Sequence, residues 1–149
     1  MQKKRFREQR DKMIQGINAS KDRPKQSLDT ATGQPAWKYS ANNSWILTTA
    51  TAADHVIYTG TSDTYLWLAL DAATGKEKFR VTANGYVYSS PTIAANTIFF
   101  GDFTGQLLAV IGMNKLYTLG PILSKPSIGN GIIYFGSADG CLYTVRLIQ

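Results

Sequence analysis

The chain is poor in the residues that most often carry chemistry. Among 149 residues it has one cysteine, Cys141, and one histidine, His55. A single cysteine excludes an intrachain disulfide. A lone histidine without a second ligand at metal-binding spacing is a weak basis for a metal site or a catalytic triad. We therefore expect a structural or solvent-exposed role for His55 and a small, partly buried Cys141, with a reactive or intermolecular thiol as the alternative.

Long apolar runs are also missing. No stretch of about 18 apolar residues occurs, so the sequence predicts no transmembrane helix. The opening residues, MQKKRFREQR, are basic and lack the apolar segment of a secretory signal. As encoded, the chain is expected to stay in the cytoplasm rather than leave by that route.

Charge is unevenly spread along the chain. The formal net charge is +6, and residues 1–25 hold nine cations and three acids, whereas residues 26–149 hold seven of each sign. The body of the protein therefore has no excess charge that would by itself indicate a nucleic acid or a membrane as its partner.

Residues 1–27 are predicted to form a separate basic arm. Phe6, Met13, Ile14 and Ile17 fall on one face of a helix, which predicts a short amphipathic helix over residues 4–17. The favoured interpretation is a solvated tail or a helix docked on its own domain. The alternative is an arm that binds nucleic acid, an anionic membrane or an acidic partner. Its leading cations would be Lys3, Lys4, Arg5, Arg7 and Arg10.

The most informative feature is an internal repeat. LDTATGQPAW at 28–37 returns as LDAATGKEKF at 70–79, an offset of 42 residues. VIYTGTSDTYLWLALD at 56–71 returns as IFFGDFTGQLLAVIG at 98–112 and again as IYFGSADGCLYTVRL at 133–147. Repeats of about 40 residues that contain four short strands are typical of propeller blades.

The strand pattern predicts an all-β fold of three four-stranded antiparallel blades over residues 28–149. With strands labelled A to D from the inside outwards, the order reads D, ABCD, ABCD, ABC. The first D strand is predicted at about 36–40 and the last C strand at 141–147. Because closed propellers need about four to eight blades, two explanations are open. The chain is part of a longer ring, or two copies form a head-to-tail dimer with six blades, in which each first D strand completes the other copy's last blade.

Turn residues separate the predicted strands. Asp29 and Asp71 each precede an Ala-Thr-Gly turn, where a short carboxylate accepts backbone N–H groups. Asn84-Gly85 and Asn130-Gly131 predict hairpins. The first repeat lacks the glycine of the later Asp-Gly turns, so a longer turn is predicted at 62–64. We interpret these residues as turn chemistry rather than as catalytic or phosphate-binding groups.

The repeat resembles that of the pyrroloquinoline-quinone (PQQ)-like β-propeller family. The resemblance rests on ALDAATGKxxF/W, then SSPTIA, then GxxxGxLxA, and it covers residues 28–147. The family includes quinoprotein dehydrogenases and a non-enzymatic outer-membrane assembly lipoprotein. It implies that an aromatic residue of each outer strand packs over the glycine of the preceding turn, which places Trp37 beside Gly33 and Phe79 beside Gly75.

The resemblance and the residues together favour a non-catalytic binding or scaffold module. Propeller loops commonly contact partners, and aromatic residues at loop tips suit protein interfaces. For two of these residues, Trp45 and Tyr86, packing between blades is the favoured interpretation and a role in binding is the alternative. The candidate interaction residues are Trp45, Tyr65, Tyr86 and Phe103, and the 85–88 stretch adds aromatic surface.

A PQQ-dependent dehydrogenase is the enzymatic alternative. The resemblance would then imply a quinone stacked on tryptophan, a calcium ion and an aspartate base. The vicinal disulfide of those enzymes is impossible with one cysteine, and no residue matches their cofactor motif. We therefore expect no enzyme activity, no cofactor and no metal. Family resemblance points to a location outside the cytoplasm, which leaves the compartment open.

Overall fold

The fold is all-β in the computed structural model, which describes residues 25–29, 31–94, 97–110 and 114–147. These residues form 13 strands and no helix, in antiparallel sheets of two, four, four and three strands. The predicted blade architecture is thereby confirmed. The predicted helix over residues 4–17 lies outside the described residues.

The strands follow one another as repeated antiparallel units. The first unit is a hairpin of β1 (Lys25–Leu28) and β2 (Pro35–Tyr39). Blade 1 consists of β3 (Thr51–Ala53), β4 (Val56–Gly60), β5 (Leu66–Asp71) and β6 (Glu77–Thr82). Blade 2 consists of β7 (Thr92–Ala94), β8 (Thr97–Gly101), β9 (Gln106–Ala109) and β10 (Asn114–Tyr117). Blade 3 consists of β11 (Ser127–Gly129), β12 (Ile132–Gly136) and β13 (Leu142–Arg146).

The hairpin adds a strand that the sequence pattern did not predict. β1 pairs with β2 so that Lys25 lies opposite Tyr39 and Ser27 opposite Trp37. This is the relation between the C and D strands of blade 1, where Ala69 lies opposite Phe79. The hairpin therefore forms the outer half of a blade that precedes blade 1, and its first strand overlaps the segment assigned to the basic arm.

Two kinds of loop lie together at one end of the blades. Strands alternate in direction within each blade, so the loops from D to A and the turns from B to C lie at the same end. We call this end the loop face; its members are residues 40–50, 61–65, 83–91, 102–105, 118–126 and 137–141. The chain enters β1 from this face, because Lys25 pairs with the last residue of β2.

Glycines at the ends of the B strands allow successive blades to pack closely. A Cβ atom on Gly60 would lie 2.1 Å from Val87 Cγ1, and one on Gly101 would lie 2.2 Å from Ile122 Cγ2. Val87 and Ile122 are both fully buried. Each of these two side chains lies in the loop that leads into the next blade. It thus occupies the space that a residue larger than glycine would need at the end of the B strand.

Trp37 corrects the expectation about the aromatic lock. Its ring packs over Gly75 of blade 1, and its Nε1 donates to the Ala72 carbonyl at 3.0 Å. A Cβ on Gly33 would meet nothing within 4 Å. The ring therefore lies on the turn of the following blade, not on the preceding turn. Phe79, the next aromatic residue of the series, is 40% exposed and not packed as Trp37 is.

The turn predictions had mixed outcomes. The Asp29 and Asp71 carboxylates accept N–H groups of their own turns, as predicted. The hairpin at Asn130-Gly131 is confirmed, with φ of 50° and 72°. The hairpin at Asn84-Gly85 is wrong, because these residues lie in the loop between β6 and β7. The expectation for Cys141 is wrong as well, since this residue precedes β13 and is exposed.

Candidate interaction face

Backbone hydrogen bonds tie the loop face into a continuous belt. In each blade, the turn from B to C donates an N–H to the loop that leads into the same blade. These bonds, each 2.9 Å, run from Ser62 to Trp45, from Phe103 to Tyr86 and from Ala138 to Pro121. The loop of the next blade donates back, from Val87 to Thr61 at 3.2 Å and from Ile122 to Asp102 at 3.0 Å. The loops are thereby held in fixed positions relative to one another.

Four aromatic rings meet on this belt, and we call them the aromatic patch: Tyr65, Tyr86, Tyr88 and Phe103. Tyr86 contacts Tyr65 edge to face, with centroids 5.1 Å apart, and stacks on Tyr88 at 5.7 Å. Phe103 lies edge-on to Tyr86 and to Tyr88, at 5.9 Å from each. Tyr86 is 37% exposed and Phe103 is 44% exposed. The patch therefore presents aromatic surface to solvent from two neighbouring blades.

The structure brings together three of the four candidate residues. The fourth, Trp45, lies on the same face and is 40% exposed. Tyr88 joins the cluster although it was not singled out as a site residue. Its signal is the spacing of Tyr86 and Tyr88 around the buried Val87, because residues two apart in an extended segment point to the same side.

Tyr65 holds an unusual backbone conformation. Its φ is 53°, in the left-handed region, and the matching positions of the later turns are Gly105 and Gly140, with φ of 85° and 88°. A non-glycine residue there costs roughly 1–2 kcal/mol. Strain of this kind concentrates at functional sites. Hydrogen bonding with the Tyr86 hydroxyl is the main cause of the raised pKa of Tyr65.

Asp102 anchors the turn that carries Phe103. Its Oδ1 accepts N–H groups from Thr104 at 2.9 Å and Gln106 at 3.0 Å, and its Oδ2 accepts from Asn84 at 3.1 Å. Gly85 follows Asn84, and a Cβ there would lie 2.8 Å from Thr104 Cγ2. A buried carboxylate and a glycine thus join two loops beneath the patch. The sequence signalled the turn but not the link to Asn84.

The loop face carries more acid than base. Its charged residues are Asp63, Asp102 and Asp139 against Lys125. Asp63 is exposed. The Tyr143 hydroxyl donates to Asp139 at 2.7 Å, and this bond is the leading cause of the lowered pKa of that carboxyl. Asp139 therefore stays ionised at neutral pH.

Potential metal ligands are not clustered in the described part of the chain. The described residues contain no group of three or more His, Cys, Asp or Glu side chains placed to hold a metal ion. Within the same part of the chain, no helix is long and apolar enough to span a membrane. The aromatic patch is thus the most distinctive site on the described surface.

These features define a β-propeller blade array with a loop-borne aromatic surface. The model of one family, described as outer membrane protein assembly factor BamB, matches residues 26–116. The chain therefore belongs to this PQQ-like repeat family. No curated protein is similar enough in sequence to count as a relative.

Solved structures share the fold at low sequence identity. BamB from Moraxella catarrhalis superposes with a TM-score of 0.74 and 16% identity, over 88% of this chain and 46% of that one. The computationally designed Ika4 protein gives 0.72 and 15%, over 88% and 84%. Saccharomyces cerevisiae Sqt1 gives 0.74 and 13%, over 87% and 40%. The chain spans less than half the length of this BamB, and the likeness shows the fold alone.

Proposed function

We propose that this protein is a non-catalytic module that binds another protein through its loop face. The observation that carries the proposal is the aromatic patch, four rings linked through contacts of Tyr86 on loops that backbone hydrogen bonds connect. Exposed Tyr and Phe rings supply large contact area at low entropic cost, which suits interface anchors. The family's description as an assembly factor supports binding rather than catalysis.

Photo-crosslinking at two phenylalanines tests the proposal. Phe103 and Phe79 are exposed to a similar degree, 44% and 40%, but only Phe103 belongs to the patch. Replacing each in turn by benzoyl-phenylalanine in cells that make the protein should give ultraviolet-dependent adducts with another polypeptide from position 103 alone. Equal adducts from both positions, or none from position 103, would contradict the proposal.

A substitution at Tyr65 separates binding from folding. Asn tolerates the left-handed conformation that Tyr65 adopts, so Tyr65→Asn removes a ring without backbone cost. Affinity for the partner identified by crosslinking should fall at least about tenfold, as for an interface hot spot. The urea unfolding midpoint should stay close to that of the wild type. Unchanged affinity would remove Tyr65 from the binding surface.

We also propose that a second copy of the chain associates head to tail with blade 3. Leu142 is 72% exposed, whereas Trp67 and Leu107 at the same place in β5 and β9 are 2% and 4% exposed. No fourth strand pairs with β13 among the described residues. The β2 strand of another copy would fit there, but β2 already pairs with β1. The exchange therefore requires β13 of one copy to replace β1 of the other.

The register of the other blades fixes a test of this dimer. Leu66 pairs with Thr82 in blade 1, and the matching pair between copies would be Cys141 and Ser40. Ser40→Cys should then give a disulfide-linked dimer on mild oxidation, with a mass near twice 16.4 kDa. The variant Ser40→Cys/Cys141→Ser is the control and should not link through this pair. A monomer by light scattering, together with no disulfide in Ser40→Cys, would refute the exchange.

A further inference from the structure

The aromatic patch combines ring surface with hydroxyl groups. Three of its rings belong to Tyr65, Tyr86 and Tyr88, and the fourth belongs to Phe103. Tyr86 and Phe103 are exposed, while Tyr65 and Tyr88 are half-buried. A tyrosine ring offers apolar contact, and its hydroxyl donates and accepts hydrogen bonds. A ligand that fits this surface therefore combines apolar groups with hydrogen-bonding groups of its own.

The backbone N–H groups beneath the rings already have partners within the loops. Phe103 donates to the Tyr86 carbonyl at 2.9 Å, and Tyr65 donates to the Ser62 carbonyl at 3.1 Å. An extended peptide that adds to a sheet needs a row of unpaired backbone groups at the sheet's edge. The patch therefore contacts a ligand through side chains and does not suit an added strand.

Two further modes of peptide recognition also fit the patch poorly. Phosphorylated segments bind to clusters of arginine, but the described loop face has one cation, Lys125, in the loop that leads into blade 3. An amphipathic helix needs a groove that admits its width of about 10 Å. The Tyr86 ring lies only 5.1–5.9 Å from the centroids of the other three rings. The rings thus form a packed, ridged surface rather than a groove for a helix.

A polyproline II helix matches what the patch offers. It has three residues per turn, a rise of about 3.1 Å per residue and no internal hydrogen bonds, so its carbonyl groups stay available as acceptors. Tyr65 and Phe103 are joined through Tyr86 by centroid distances of 5.1 and 5.9 Å, a length comparable to the roughly 9 Å of one such turn. Phe103 stands at 85° and 83° to the parallel rings of Tyr86 and Tyr88. Faces and edges of rings thereby alternate over the length of one turn.

We propose that the aromatic patch binds a proline-rich segment of another protein in the polyproline II conformation. The inference deepens the proposed function, because it rests on the loop face being a protein-binding surface and names the class of partner. Proline rings pack on the exposed rings of Tyr86 and Phe103, and tyrosine hydroxyls donate to carbonyl groups of the segment. Backbone hydrogen bonds hold the loops and proline rings hold the segment before they meet, so little conformational entropy is lost on binding.

Titration with decaproline tests this specificity on the full-length protein. Fluorescence anisotropy of fluorescein-labelled decaproline should show saturable binding with a Kd below about 1 mM, whereas a labelled glycine–serine peptide of the same length should not bind. Phe103→Ser should weaken binding of decaproline at least about tenfold, as expected for an interface anchor. Phe79→Ser is the matched control, since Phe79 is exposed to a similar degree outside the patch, and it should bind as the wild type does.

Equal urea unfolding midpoints of the two variants verify that any loss of binding is local. Three outcomes of the titration would overturn the inference. These are no saturable binding of decaproline, equal binding of the glycine–serine peptide, and equal affinity in the wild type and Phe103→Ser.

Competition separates this inference from the proposed function. In extracts of cells whose protein carries benzoyl-phenylalanine at position 103, adding about 1 mM decaproline should suppress the ultraviolet-dependent adducts with another polypeptide. Adducts that persist undiminished would leave the proposed function standing and overturn the inference. Binding of decaproline at the patch, without any adduct from position 103, would support the specificity of the patch and refute the proposed function.

Discussion

Blade contacts inside the chain and the outer side of blade 3 use the same strand pattern in different surroundings. Gly60 and Gly101 end their B strands against buried side chains of the next blade, whereas the nearest atom to a Cβ on Gly136 would be Ser124 Oγ at 3.9 Å. Position for position, Trp67 and Leu107 are buried and Leu142 is exposed. The comparison shows that the repeat sequence specifies the strands of a blade. Burial of the residues on the side of a blade requires a neighbouring blade to cover them.

The two aromatic residues of the outer strands repeat the comparison. Trp37 is 8% exposed because the turn of blade 1 lies beneath its ring, while Phe79 is 40% exposed. The third repeat has Ile-Gly-Met in its sequence where the earlier ones have Ala-Thr-Gly turns, and residues 111–113 lie outside the described part of the chain. Within the described part of the chain, the aromatic lock is therefore seen at the contact of Trp37 with the turn of blade 1.

Removing the two aromatic side chains should give the largest contrast. Trp37→Ala deletes a buried ring and the bond from Nε1 to the Ala72 carbonyl, and it should lower the free energy of unfolding by about 3–4 kcal/mol. Phe79→Ala deletes a ring that is already part-solvated and should cost about 1 kcal/mol. Urea denaturation followed by circular dichroism measures both. Equal losses would mean that the hairpin contributes no more to stability than a solvent-exposed strand.

Replacement of Gly101 and Gly136, which occupy the same place in blades 2 and 3, by valine should give the next largest difference in stability. A Cβ on Gly101 would overlap Ile122, so Gly101→Val should destabilise the fold by about 2–3 kcal/mol. At Gly136 the nearest atom to the new Cβ would be Ser124 Oγ at 3.9 Å, an ordinary contact distance, so the effect of Gly136→Val should stay within about 0.5 kcal/mol. If a second copy covers blade 3, Gly136→Val should instead weaken the dimer, as a fall in mass by light scattering. A large loss of monomer stability at Gly136 would break the comparison.

Much of the fold could be predicted from the sequence because the repeat shows where each strand recurs. The predicted D strand at 36–40 lies at Pro35–Tyr39, and the predicted C strand at 141–147 lies at Leu142–Arg146. β1 was not readable, since the segment KQSL has one apolar residue and becomes a strand through its pairing with β2. The partner of Trp37 was not readable either, because two turns of nearly identical sequence compete for one ring.

The candidate site was predictable in its parts but not in its assembly. Tyr65, Tyr86 and Phe103 were identified as aromatic residues of loops, which period-2 patterning and turn residues make visible. Their mutual contact depends on how blades 1 and 2 twist against each other, which local sequence does not encode. The left-handed Tyr65 had one visible sign, a tyrosine where later repeats have glycine. The roles of these residues in binding stay a prediction.

The smallest expected effect concerns the hydrogen bond between Tyr39 of the hairpin and Glu77 of blade 1. The Tyr39 hydroxyl donates to Glu77 Oε2 at 2.8 Å, and burial, followed by this bond, raises the pKa of Tyr39 to about 12 from 10.0. A raised tyrosine pKa favours the neutral folded form, so its stabilisation is complete below pH 10 and is lost as the pH rises towards 12. The wild type should therefore lose thermal stability between pH 10 and 12 more steeply than Tyr39→Phe. The exposed Tyr117→Phe serves as control. If the melting temperatures of the wild type and of Tyr39→Phe fell in parallel across this pH range, the pKa of Tyr39 would be the same in the folded and the unfolded protein. The contact with Glu77 would then not stabilise the hairpin.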